Sequence, residues 1–366
     1  MGKLRILILG GCGFIGRNLV SYLLENNLAS YIRVVDKVPP VVAWMNAKHL
    51  ENFQNNIVEF KSANLINEES CQKVFRLYDG SVWDLVVNCA GETKPGQTDP
   101  VYKEGIFKLA INCARQAALQ NVGRYFELSS GNMNSFEEFP HKEDDAIEPW
   151  GYVAKWKREV ELELANIQNL RYTVIRLPLV YGLGDKNYIM PRILVAAVYK
   201  ELKKTMKLLW GEELKIHTVH VEDVCRAILY LYHSEDTLNQ VFNLVDDGNT
   251  TQMQISNLLG DIFKVKVHYY GNSLVSFVDI ESIAEAANDR HLKPWAEACR
   301  RDHIENTPLT PHMDAVLLEH KNLNLDGSKL KNLGFTLNVP RVSTEKLREI
   351  IDDYVTMKVF PPSLIN

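Results

Sequence analysis

The chain has 366 residues, a net charge of −5, 46% hydrophobic and 24% charged residues, the balance of a folded protein with room for one or two domains. It carries no basic tract with interleaved aromatics and no apolar run of membrane-spanning length, so neither nucleic acid nor a membrane is expected as a partner. Cysteines at 12, 71, 89, 113, 225 and 299 form no CxxC pair and have no histidine spacing suited to a metal, so they read as reduced, mostly buried thiols of a cytoplasmic protein with no metal site.

The regular structure opens with LRILILGGCGFIGRNLV, residues 4–20. An apolar run of strand length is followed by Gly10, Gly13 and Gly16, and then by helix-period apolar residues Phe14, Ile15, Leu19 and Val20. In such a strand, turn and helix the first glycine makes the turn, the second lets the backbone approach a pyrophosphate, and the third lets helix and strand pack closely. The phosphates would sit on the free N–H groups at the positive end of the helix. A second strand, Ile32 to Val35, ends in Asp36, where a carboxylate can accept from adenosine ribose hydroxyls.

Pro39-Pro40 stops that strand and leads to a helix over 42–53, a strand over 57–60 and a polar helix over 68–78. WDLVVNC, residues 83–89, reads as the fourth strand, with Ala90-Gly91 at its C-terminal end. A helix over 100–120, a strand over 124–129 ending in Ser129-Ser130-Gly131, a helix over 150–167 and a strand over 172–176 complete the first half. This alternation specifies an α/β fold with a doubly wound parallel sheet covered by helices on both faces.

Beyond Pro178 the alternation weakens. Helices are expected over 189–203, 221–233, 253–263, 277–300, 310–320, 328–333 and 343–357, with short strands over 215–219, 240–244 and 264–270. Asn249-Thr250-Thr251 reads as a turn and helix cap. The division expected is a dinucleotide-binding domain over 1–177 and a smaller lobe, mainly substrate-binding, over 178–366, with segments about 215–244 returning to the main domain.

Taken in order, these motifs resemble the extended (atypical) short-chain dehydrogenase/reductase superfamily, which includes NAD-dependent epimerases and dehydratases and 3-beta-hydroxysteroid dehydrogenase-like proteins. The residues that carry the resemblance are GGCGFIG at 10–16, Asp36, Ala63-Asn64-Leu65, Cys89-Ala90-Gly91, Ser129-Ser130, Lys155 with Glu159, Arg176 before VYGLGD, His220-Val221-Glu222-Asp223-Val224, and LDGSKLKNLGF at 325–335. The resemblance implies a Rossmann-type sheet with a smaller C-terminal substrate lobe. It also implies NAD held by Gly10, Gly13, Phe14, Ile15, Gly16 and Asp36, with Asn64 and Leu65 flanking adenine, Ala90 and Gly91 lining the middle, and Pro178 and Leu179 near the nicotinamide. Asp36 disfavours NADP by repelling its 2′-phosphate, although Lys37 next to it leaves that cofactor some opening. A homodimer through the helices around 100–120 and 150–167, or a place in a larger assembly, is implied in the same way.

The family's catalytic group is a Ser, with a Tyr and a Lys spaced as YxxxK on one helix. Ser130 fits the Ser and Lys155 fits the Lys, which would also bond the nicotinamide ribose, but Gly151 stands where the Tyr is expected and the nearby phenol is Tyr152, at a spacing of three. Tyr152 either reaches the acid–base position or packs in a site that has lost its acid–base group. Leu179 and Gly105 also stand where the family commonly has Asn, and His217 and His220 are further titratable candidates or structural residues. Two functions follow as expectations. One is an NAD-dependent oxidoreductase or epimerase/dehydratase-like enzyme on a hydroxyl or keto group of a small or apolar substrate, using Ser130, Lys155 and either Tyr152 or an ordered water; the other is a catalytically silent NAD-binding protein serving as a structural or regulatory subunit.

Overall fold

The computed structural model describes residues 2–134, 139–275 and 278–365. The first half runs β1 (Leu4–Leu9), α1 (Phe14–Glu25), β2 (Ala29–Asp36), α2 (Ala47–Phe53), β3 (Val58–Ser62), α3 (Glu68–Phe75), β4 (Leu85–Asn88), α4 (Asp99–Tyr102), α5 (Leu109–Leu119), β5 (Arg124–Ser130), α6 (Gly151–Leu164) and β6 (Tyr172–Leu177). It continues with β7 (Leu179–Tyr181), α7 (Met190–Leu202), β8 (Met206–Leu208), β9 (Thr218–His220), α8 (Val221–Tyr232), β10 (Gln240–Asn243), α9 (Gln252–Phe263), β11 (Val267–Tyr269), α10 (Asn272–Val275), α11 (Ile280–Arg301), α12 (Ser328–Asn332) and α13 (Thr344–Thr356).

Seven strands form one sheet in the order β3-β2-β1-β4-β5-β6-β10, every pair parallel. The strand order reverses between β1 and β4, and in open parallel sheets ligands bind in the crevice outside that switch point. Helices cover both faces, so the central strands are apolar on both sides, with Ile6 to Leu9 and Leu85 to Val87 fully buried. Two close approaches bring the start of α1 to this edge: a Cβ on Gly10 would lie 2.6 Å from the Ala90 Cα, and one on Gly16 would lie 2.5 Å from the Gly11 Cα.

The second half returns to the sheet through β10 and through α8, which packs on α1. The rest forms a lobe with its own core, in which Ile193 and Leu194 of α7, Leu259 and Phe263 of α9, Trp295 of α11 and Ile350 of α13 belong to one buried cluster. Two short parallel pairs, β7 with β9 and β8 with β11, complete it.

Three expected elements differ. The helix expected from residue 42 starts at Ala47, because Pro40–Val42 forms a 3₁₀ turn and the Asn46 side chain caps the helix by accepting from the His49 N–H at 2.8 Å. The helix expected over 100–120 is interrupted by a π-helical segment, Lys103–Lys108, where the missing side chain of Gly105 leaves space for Glu92; a Cβ there would lie 2.7 Å from the Glu92 Cβ. The helix expected over 310–320 is reduced to a 3₁₀ turn, Ala315–Leu317. Asp314 diverts the backbone by accepting from the Val316 N–H, and Pro311 supplies no N–H for a preceding turn. Of the helix expected from 277, residue 277 itself lies outside the described residues, and α11 is capped by Asp279, which accepts from the N–H groups of Glu281 and Ser282.

Candidate active site

A cleft of about 1130 Å³ lies at the C-terminal ends of β1, β4, β5 and β6 and extends under the second lobe. Gly10, Gly13, Phe14, Ile15 and Asp36 line one end. Gly13 is the N-cap of α1 and has no side chain to satisfy the first-turn N–H groups, which leaves those of Phe14 and Ile15 for an anion. The Asp36 carboxylate is fixed at the rim: Oδ2 accepts from the Cys12 N–H at 3.1 Å and Oδ1 from the Val38 N–H at 3.0 Å. Each oxygen keeps acceptor capacity for a ribose hydroxyl.

Arg17, which sequence reasoning missed, ties this end together. Its buried guanidinium donates to the carbonyls of Cys12 (2.6 Å), Ala43 (2.7 Å) and Trp44 (2.8 Å), binding the first turn of α1 to the loop before α2. Burial pushes the Arg17 pKa down and the Cys12 thiol up to about 12. The signal was a lone arginine directly after the third glycine, in a helix whose other residues at that end are mostly apolar. The free amides, the missing side chain at Gly13 and the acceptor at Asp36 together fit a dinucleotide.

Ala90 and Gly91 line the middle of the cleft, and Pro178 and Leu179 lie at the ends of β6 and β7. Four expected contacts are not cleft-lining. Gly16 is consumed by packing against Gly10 and Gly11, and the Lys37 ammonium lies outward, 4.0 Å from Glu92. Leu65 is buried in the core under α3 and α5, and exposed Asn64 turns its side-chain oxygen back to the Ile66 N–H at 3.2 Å. These two belong to the outer flank of the sheet because β3 is its edge strand.

At the other end, Ser130 faces the cleft and its Oγ accepts from the Asn132 N–H at 3.1 Å, which leaves its hydroxyl hydrogen for a ligand. Ser129 is occupied, donating to buried Glu161 at 2.6 Å. Lys155, expected beside Ser130, is instead half-exposed on the outer side of α6 and ion-paired with Asp99 at 3.1 Å. Tyr152 is with it: the ring is 50% exposed, is stacked on Tyr102 at 5.9 Å, and lies 5.6 Å below the Lys155 ammonium. Both reach the rim of the cleft rather than its floor.

The lysine on the floor is Lys157. It donates to Glu127 at 2.8 Å and to the Leu128 carbonyl at 2.6 Å, and an added Cβ on Gly91 would lie 3.9 Å from its Nζ. Glu127 is fully buried and also accepts from Asn88 (2.7 Å) and Tyr125 (2.9 Å), and burial beside this carboxylate pushes the Tyr125 phenol up, so that it remains the donor. The helix phase explains the choice: residues 157, 160, 161 and 164 of α6 are buried, whereas 155 is not. One turn further along, Glu161 binds Arg176 of β6 at 2.7 and 3.1 Å. Counting four residues back from Lys157 reaches Val153, so the face of α6 that meets the sheet carries no phenol. Gly151 has its own reason to be glycine: it enters the helix at φ +72°, where a side chain is strained.

The histidines are held structurally. His217 Nδ1 accepts from the Leu325 N–H at 3.1 Å while Nε2 lies 3.1 Å from Asn249 Oδ1, which makes Nε2 the donor. His220 caps α8 and meets the Tyr181 ring edge-on. Burial lowers the pKa of both. Among the described residues no group of three metal-ligating side chains converges and no helix is long and apolar enough to cross a membrane.

The model of the NAD dependent epimerase/dehydratase family matches residues 6–244. The chain is 26% identical over 253 residues to the spore coat polysaccharide biosynthesis protein SpsK of Bacillus subtilis, a match covering 66% of this chain and 84% of that protein. It is 26% identical over 241 residues to CDP-abequose synthase of Yersinia pseudotuberculosis, covering 64% and 75%. In structure it resembles the UDP-glucose 4-epimerase of Thermus thermophilus in complex with NAD, with a TM-score of 0.68, 18% identity, and coverage of 96% of this chain and 99% of that one.

Proposed function

From the premise that the chain belongs to the NAD-dependent epimerase/dehydratase family, we propose that it binds NAD in the cleft and oxidises or reduces a hydroxyl or keto group of a sugar-nucleotide-type substrate held under the second lobe. The cofactor supplies hydride acceptance and return at the nicotinamide. The observation that carries the reading is the continuity of one cleft from the glycine turn, past Ser130, to the second lobe. Its volume of about 1130 Å³ exceeds the roughly 300–1,000 Å³ of a single-ligand pocket, which suits a cofactor and a substrate together. The names of two relatives, CDP-abequose synthase and a putative UDP-glucose 4-epimerase, favour a nucleotide-linked sugar over the small or apolar substrate expected from the sequence.

In this reading Ser130 donates its hydroxyl hydrogen to the reacting oxygen and stabilises the charge that develops there. Lys157 has two of its three donors committed to Glu127 and Leu128, and the third is available to the cofactor ribose. Tyr152 at the rim, with the Lys155 ammonium beside its ring, is a phenol lining the cleft that can exchange the substrate proton. The exposed Leu119 of α5 and Leu162 of α6 support a homodimer through these helices. The test is chromatographic detection of product, with NADH absorbance followed alongside, on a panel of nucleotide-linked sugars: turnover that falls at least a hundredfold in both Ser130→Ala and Tyr152→Phe supports the assignment, and turnover indifferent to either refutes it.

One observation favours a second reading, cofactor binding without turnover: Val153 occupies the phenol position of the face that carries Lys157. NAD uptake with no hydride exchange on any member of the panel would establish it.

A further inference from the structure

Beneath the middle of the cleft a carboxylate stands where an apolar side chain is the usual occupant. Glu127 lies in β5, between β4 and β6, with no exposed surface. Its two oxygens hold different partners. Oε1 accepts from the Lys157 ammonium at 2.8 Å, while Oε2 accepts from the Asn88 amide at 2.7 Å and from the Tyr125 hydroxyl at 2.9 Å. Asn88 and Glu127 are register partners on β4 and β5, so their side chains leave the sheet on the same face. With its amide nitrogen given to Glu127, Asn88 turns its oxygen to the end of β4, where it accepts from the Ala90 N–H at 3.1 Å. One carboxylate thus fixes both the lysine on the cleft floor and the Ala90-Gly91 turn beside it. Gly91 completes the arrangement: an added Cβ there would lie 3.9 Å from Lys157 Nζ, and both residues line the cleft.

A buried ion pair gives a fold little that two apolar side chains of the same volume would not give it. What it does give is direction. A lysine stem has four carbons and large rotamer freedom, and here Glu127 and the Leu128 carbonyl, at 2.6 Å, take two of the three ammonium donors and leave the third for the cleft. Asn88 and Tyr125 hold the carboxylate itself, and both are as fully buried as Glu127.

We infer that Glu127 is a positioning residue for the nicotinamide-side half of the cofactor: it sets the Lys157 ammonium and the Ala90-Gly91 turn relative to each other and acts through both, touching neither cofactor nor substrate. The inference rests on the reading that this cleft binds NAD, and it holds for that reading with or without turnover. Glu127→Gln keeps the shape and breaks the arrangement. A single oxygen then remains for Lys157, Asn88 and Tyr125 together, and the new amide adds a donor where three donors already point.

The experiment compares NAD with ADP, which carries the adenosine and the diphosphate but no nicotinamide riboside, by calorimetry on wild type, Glu127→Gln, Glu127→Asp and the double variant Glu127→Gln with Lys157→Met. Wild type should bind NAD more tightly than ADP. Glu127→Gln should lose about tenfold in NAD affinity, the scale of one charge-assisted hydrogen bond, and less than about twofold in ADP affinity. In the double variant both buried charges leave together, so it should melt near the wild-type temperature while its NAD affinity stays as low as that of Glu127→Gln. Glu127→Asp keeps the charge and draws it back by one methylene, and it decides the matter if Glu127→Gln does not fold: a loss confined to NAD supports the assignment. A carboxylate that only stabilises the fold would move NAD and ADP together, or would give NAD affinity back once the double variant restores stability. Either of those results, unchanged NAD affinity in the Glu127 variants, a double variant that does not fold, or a wild type that binds NAD no more tightly than ADP overturns the inference. Uptake of neither ligand by wild type would instead refute the cofactor reading.

Discussion

Gly13→Ala and Gly16→Ala separate the ligand from the fold. Gly13 sits at φ −68° and ψ 177°, a conformation open to any residue, and an added Cβ meets only the Gly10 carbonyl, at 3.0 Å. The loss of glycine's freedom in the unfolded chain is worth about 0.4–1 kcal/mol in favour of alanine, enough to offset a small shift of that carbonyl. Stability should therefore stay within about 1 kcal/mol of wild type. The same methyl stands where the pyrophosphate backbone must approach α1, and NAD affinity should fall at least tenfold, or about 1.4 kcal/mol. Gly16 differs because its Cβ would lie 2.5 Å from the Gly11 Cα and 2.7 Å from the Gly10 carbonyl oxygen, both backbone atoms. The helix must move off β1, at about 1–3 kcal/mol, and the phosphate site moves with it. Urea unfolding and NAD calorimetry on the two variants check this: Gly16→Ala should lose both stability and affinity, Gly13→Ala affinity alone. A Gly13→Ala protein that binds NAD as wild type does would refute the placement of the pyrophosphate.

The two lysines of α6 should behave oppositely. Lys155→Ala breaks a half-exposed pair with Asp99 and should cost no more than about 1 kcal/mol in urea unfolding, whereas Lys157→Ala leaves Glu127 charged and fully buried and should cost about 3–5 kcal/mol. Equal losses would contradict the phase assigned to this helix. A pH profile of unfolding reads His291, which burial pushes from 6.5 down to about 4. The unfolded chain takes up this proton first as the pH falls, so the stability due to neutral His291 is complete above pH 6.5 and is lost between 6.5 and about 4, some 3 kcal/mol in all. His291→Leu should be less steep than wild type across that window, and parallel profiles would show that the ring does not titrate there.

The sheet was legible because a parallel strand buried on both faces tends to a continuous apolar run, and Ile6 to Leu9 of β1 and Leu85 to Val87 of β4 are such runs. The cofactor end was legible because its chemistry is carried by spacing along the chain: the Gly10, Gly13, Gly16 triplet and Asp36 after β2. Thr251 was also readable as a cap, and it forms a full capping box with Gln254. Which lysine of α6 turns inward was not legible, since Lys155 and Lys157 have equal claims in sequence and only the partners Glu127, Glu161 and Arg176, distant along the chain, decide it. The positions of Asn64 and Leu65 were not legible either, because whether the turn after β3 lines the cleft depends on where β3 falls in the sheet, and it is the edge strand.

The account stands on the first turn of α1 and on Asp36 as a site for NAD. Calorimetric titration of the purified chain with NAD and with NADP, under identical conditions, tests it most directly. One NAD per chain, taken up at least tenfold more tightly than NADP, is the predicted result; no uptake of either, or equal affinity for both, would contradict it.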